Sequence, residues 1–136
     1  MKYVALVARI LLGLMFVFSG SISAFNLIKA PPPTPDVAGQ FTSAMQASHY
    51  LVPIGAVMLA GGLLLVIGRF VPLGLVLLGP ILVNILIYHI TMAPKSIGPG
   101  LVCTLLWFLV FWYVRSAFMP IFQAKVQQAG VEQAKV

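Results

Sequence analysis

A chain of 136 residues that is 61% hydrophobic and 7% charged has the length of one domain and far less charge than the roughly 25% of a soluble one. Its formal charge of +6 comes from 8 basic residues against 2 acids. The basic residues stand singly at the ends of apolar runs, a pattern that argues against nucleic acid as a partner and for membrane topology signals. One cysteine, Cys103, excludes an internal disulfide, a CxxC redox pair and a cysteine zinc site, and inside an apolar run it reads as an inert small hydrophobe.

Four runs, residues 3–28, 50–67, 72–92 and 97–119, are predicted to be spanning helices. At about 1.5 Å rise per residue, roughly 18–26 residues cover a hydrocarbon core about 30 Å thick. The expected fold is all-α, a transmembrane four-helix bundle with a short outer amphipathic helix. Residues 1–122 form the bundle domain and 123–136 a polar cytoplasmic tail.

The first run imitates a secretory leader, with Lys2, an apolar stretch and small residues from Ser19 to Ala24. Arg9 interrupts it, however, and hydrophobicity resumes at Phe25, Leu27 and Ile28, so a retained helix is the reading. Arg9, Gly13, Phe16, Gly20 and Ser23 recur at helical spacing, and the small members of that row favour a helix interface. Counted from Tyr3, Arg9 lies about 9 Å inside the membrane, where Gly61 or Gly62 and Trp112 or Tyr113 are its expected neighbours. Both carboxylates, Asp36 and Glu132, fall outside the predicted spans. Arg9 therefore reads either as a topology anchor reaching cytoplasmic phosphates or as a functional cation.

The connector from Lys29 to Asp36 is proline-rich, stiff and non-helical. Asp36 is placed to cap a short helix in which Val37, Phe41, Ala44, Met45 and Ser48 form the apolar face, lying along the outer surface. Gly68 to Pro72 allows only a tight turn, making the second and third spanning helices antiparallel neighbours, and Gly79-Pro80 is expected to kink the third. On that helix Asn84, Tyr88 and Thr91 share a face, with Asn84 about 18 Å from the cytoplasmic edge. There it either forms an interhelical hydrogen bond, with Ser19 and the Met58 turn at similar depth, or recognises a ligand carbonyl such as that of a quinone. His89 lies about 140° around the helix from Asn84 and makes no pair with it. His89 and His49 read as outer-surface anchors, with no metal site expected. Trp107, Trp112 and Tyr113 read as packing residues.

Alternating helices put Lys2, Arg9, Arg69, Arg115, Lys125 and Lys135 on one side and Lys29 and Lys95 on the other. Both termini are then expected in the cytoplasm, and the compartment is expected to be a bacterial inner membrane. No catalytic motif of the hydrolase, metalloprotease, phosphate-loop or dinucleotide type is present, and spans without carboxylates disfavour a proton-driven transporter.

Ala8-Arg-Ile-Leu-Leu-Gly13, Phe18-Ser-Gly20, the run from Gly61 through Gly68-Arg-Phe-Val-Pro-Leu73, and Pro80-Ile-Leu-Val-Asn-Ile-Leu-Ile-Tyr-His89 resemble the DoxX family of small four-helix membrane proteins. That resemblance covers residues from Arg9 to about Phe122. Relatives of this type often carry a glutamate where this chain has Met58. The resemblance implies a component of a membrane assembly, in some relatives one associated with a thiosulfate to quinone oxidoreductase and in others with oxidative-stress defence. The expected function is a noncatalytic subunit or scaffold in the lipid bilayer, with a protein partner or a second copy. The alternative is a quinone-interacting oxidoreductase subunit whose headgroup site draws on Arg9, Asn84, Tyr88 and His89.

Overall fold

The computed structural model describes residues 1–29, 32 and 34–124. The expected polar tail from residue 125 onward, with part of the proline-rich connector, lies outside the described residues. Five α-helices follow in order: α1 Lys2–Ala24, α2 Val37–Ala47, α3 Leu51–Ile67, α4 Val71–Thr91 and α5 Gly98–Val114. Short 3-10 segments cover Pro94–Ser96 and Arg115–Phe122. The described residues contain no strand.

Two expected boundaries move. The first helix stops at Ala24 instead of Ile28, because Asn26 takes a left-handed φ of 50° that an α-helix cannot continue through. The last helix tightens at Arg115, and the 3-10 segment carries Pro120, which has no amide proton for helical bonding.

α1, α4 and the continuous Gly98–Phe122 segment are each long and apolar enough to cross a bilayer. α3, at 17 residues, spans only about 25 Å, and α2 precedes it bent away by 86°. The bend is made at His49, which takes a left-handed φ of 55° while Tyr50 N–H donates back to Met45 O at 3.0 Å, closing the end of α2 as a Schellman turn does.

The four long helices pack in the cyclic order α1, α3, α4, α5 and back to α1, with α1 against α3 the most extensive contact. Two glycine layers fix its register. A Cβ on Gly13 would stand 2.9 Å from Gly62 O, and one on Gly20 would stand 2.9 Å from Gly55 O. The pairs 13 with 62 and 20 with 55 belong to one antiparallel register, two helical turns apart. At both layers the backbones approach so closely that only glycine fits. The row of Gly13, Phe16 and Gly20 is thus the α3-facing side of α1, and all three are buried.

Leu12, Leu65, Leu75, Leu78 and Val110 are almost fully enclosed at the centre, and no polar or charged residue is buried among the described residues. The outward side chains are apolar as well, among them Leu14, Phe18, Val83, Ile87, Leu105 and Phe108. A chain apolar inside and out is matched to lipid as its solvent. Pro80 sits within a continuous α4. Near it, Trp107 Nε1 donates to Leu75 O at 3.1 Å, and its ring lies over Gly79, tying α5 to the turn of α4 that precedes Pro80.

Candidate functional site

Helix α2 and the helices it leaves uncovered build a groove of about 470 Å³, within the size range of small-molecule sites. Its floor is Ile54 and Met58 of α3 with Pro80 and Ile81 of α4, and its roof is Phe41, Thr42 and Met45 of α2. Asn84 and Tyr88, one helical turn apart on α4, open into it together, and Ser23 and Tyr50 complete its polar rim. Phe41 stacks on Tyr88 with ring centroids 5.8 Å apart, which holds the roof against α4. The lining is otherwise apolar, so a ligand there meets an oily body and a few hydrogen-bonding groups around Asn84.

Four expectations change here. Of the expected α2 face, Phe41 and Met45 line the groove while Val37, Ala44 and Ser48 are exposed; Ala38 is buried, and Thr42, outside the expected face, joins the lining. Asp36 occupies the cap position but makes no side-chain cap bond; Gln40 Nε2 instead binds Pro35 O at 2.9 Å. Thr91 turns away and donates to Ile87 O at 2.7 Å. Ser19 lines a different cavity, beside His89, so it is no partner for Asn84. The division between Asn84 and His89 follows the helical angle between them.

Arg9 stands at the opposite end of the bundle. It lines a notch of about 310 Å³ with Lys2, Tyr3, Val71, Val110 and Tyr113. Its guanidinium presses on Gly68, where a Cβ would come 2.8 Å from Cζ. Gly68 ends α3 in a left-handed conformation with φ 77°, so Arg9 lies at the negative end of that helix's dipole. The guanidinium Nε is buried without a hydrogen-bond partner among the described residues. Of the expected neighbours, Tyr113 shares the notch. Gly61 and Gly62 instead pack on Leu78 and Gly13, and Trp112 is taken by Arg115, whose Cζ lies 4.6 Å from the ring centroid. Rise counting sets the helix ends level, whereas the glycine register staggers α1 against α3 and brings the α3–α4 turn to the level of Arg9.

The groups the sequence brings forward therefore divide among three places: Asn84 and Tyr88 in the groove, Arg9 in the notch, and His89 in a third cavity with Cys103. Phe41, Thr42 and Tyr50 were missed as groove residues because α2 folds back through a bend that helical periodicity does not encode.

An all-helical chain with several bilayer-length apolar helices and a lipid-compatible exterior defines an integral membrane protein. The DoxX family's sequence profile matches residues 4–90, well over half of the chain, and the chain belongs to that family. No curated protein and no solved structure matches it.

Proposed function

We propose that this protein is a noncatalytic membrane subunit that holds the headgroup of a lipid-soluble ligand of the quinone class in the groove beneath α2. The observation that carries this reading is the pairing of Asn84 and Tyr88 at the wall of an otherwise apolar groove. An amide N–H and a phenol O–H can both donate to a ring carbonyl while the tail lies among Ile54, Met58 and Ile81. Electrons for any redox role come from a partner protein. The proposed orientation has both ends of the bundle's chain on the cytoplasmic side of a bacterial inner membrane; what supports it is that Lys2, Arg9, Arg69 and Arg115 lie at one end of the bundle and Lys29 and Lys95 at the other.

The test is binding of a short-tailed ubiquinone analogue to the purified full chain in detergent, read by equilibrium titration. Wild type should saturate. Asn84→Leu should weaken binding about tenfold and Tyr88→Phe less, in line with the loss of one hydrogen bond at about 1–1.5 kcal/mol. Non-saturable partitioning, or equal affinity for wild type and Asn84→Leu, defeats the reading.

A further inference from the structure

The third cavity, of about 150 Å³, is lined by nine residues, four of which are Met15, Met58, His89 and Cys103. The whole chain contains only 6 methionines, 2 histidines and 1 cysteine, so chance would put fewer than one such side chain in a lining of that size. Each of the four comes from a different long helix: Met15 from α1, Met58 from α3, His89 from α4 and Cys103 from α5. They are the soft donors of metal chemistry, two thioethers, one imidazole and one thiol.

Two details of geometry fit metal ligation. Cys103 Sγ and Met15 Sδ are 3.9 Å apart; two sulfurs bound to one ion at about 2.3 Å with an angle of about 109–120° would be separated by about 3.7–4.0 Å. His89 Nδ1 lies 2.7 Å from Ile85 O. A carbonyl oxygen only accepts, so Nδ1 carries the proton and Nε2 is left as the ring nitrogen with a free lone pair, the tautomer that a backbone carbonyl selects in metal-binding histidines.

We propose that this cavity binds a single monovalent soft cation, Cu(I) or its analogue Ag(I), through Cys103, Met15, Met58 and His89. Binding replaces the thiol proton of Cys103, which is released to solvent, by a metal–sulfur bond. No electron is transferred. The charge then balances: one thiolate and one monovalent cation leave the site neutral within an apolar bundle, whereas a divalent ion would leave a net positive charge that no carboxylate in the described spans offsets. Met58 belongs to both the groove and this cavity, but the metal site stands independently of the quinone reading, and its test uses no quinone.

The test is titration of the full-length protein in detergent with Ag(I), then with Cu(I) under reductant against a chromophoric chelator. The readouts are stoichiometry and the ultraviolet thiolate-to-metal band. Wild type should bind one ion per chain and show the band. Cys103→Ser should abolish the band, and Met15→Leu, Met58→Leu and His89→Gln should each weaken binding about tenfold or more. Met119→Leu, exposed and outside both cavities, should bind as wild type does. The leucine variants conserve volume and keep the fold, which circular dichroism checks. The proposal is overturned by failure of wild type to bind one ion, by Zn(II) binding as tightly as Ag(I), or by a well-folded Cys103→Ser, Met58→Leu double variant that binds like wild type.

Discussion

Alanine at Gly20 should force α1 away from α3. Its Cβ would stand 2.6 Å from Leu59 N and 2.9 Å from Gly55 O, where ordinary contact begins at 3.4 Å. The shortfalls are therefore about 0.8 and 0.5 Å, and since both neighbours are backbone atoms no rotamer change relieves them. Overpacking of this kind costs about 1–3 kcal/mol, more than the roughly 0.6 kcal/mol of an average interhelical hydrogen bond in a membrane protein. Unfolding in mixed micelles of rising sodium dodecyl sulfate fraction, followed by circular dichroism, measures the loss. Gly79→Ala is the control, because its Cβ meets only Trp107 Cζ2, at 3.6 Å; it should change stability by less than about 0.5 kcal/mol. Coupling provides a second check. Gly20 and Gly55 share one layer, so once the first alanine has separated the helices the second should cost less, giving clear sub-additivity. Gly13 and Gly55 lie in different layers, about 10 Å apart along the axis, and their alanines should add within about 0.5 kcal/mol. If Gly20→Ala costs no more than Gly79→Ala, or the same-layer pair is strictly additive, the glycine register is not what sets the α1–α3 distance.

Gly68→Ala should cost about 1–2 kcal/mol in the same assay, because alanine is strained at a φ of 77° and its Cβ would displace the Arg9 guanidinium; the penalty should shrink in an Arg9→Gln background. Trp107→Phe removes the donor to Leu75 O while keeping the aromatic body over Gly79, and should lower stability by about 0.5–1 kcal/mol. Phe41→Ala removes the stacking on Tyr88, and hydrogen exchange by mass spectrometry should rise across α2 while the glycine layers of α1 and α3 stay protected; uniform acceleration through all helices would contradict the view of α2 as a separately seated roof.

The spans were legible because hydropathy alone decides them: long apolar stretches broken by Pro and Gly admit few other structures. The Arg9, Gly13, Phe16, Gly20 row was legible for a similar reason, since small residues at helical spacing mark a close interface. What sequence could not supply was the relative height of the helices. Rise counting assumed that all four start level, so it put Gly61 and Gly62 beside Arg9, whereas the packed register puts Gly68 there. Val37, Ala44 and Ser48 of the expected α2 face stay exposed, because a helix bent by 86° from the next one is oriented by what it covers. In sequence Cys103 reads alone as a small hydrophobe; that it touches Met15 and shares a cavity with Met58 and His89 depends on the packing of four helices, which no local window contains.

The length of α3 connects the Arg9 notch to the rest of the architecture. α1 has 23 residues and α3 has 17, and the glycine register pairs the C-terminal end of α1 near Ala24 with the start of α3. The whole difference is therefore displaced to the other end, where roughly two turns of α1 run past the α3–α4 turn. That overhang, walled by α5, is the notch, and it explains how a charged residue about two turns into an apolar helix can be tolerated. Arg9 does not sit at mid-membrane but level with Gly68, with the carbonyl end of α3 against it and Lys2 and Tyr113 lining the opening. On the other side, a full-length α3 would have continued straight through the space into which α2 turns. By stopping at Leu51 and bending, the chain roofs Asn84 and Tyr88 with Phe41 and Thr42, so one short helix leaves room for both a cationic notch and a covered groove.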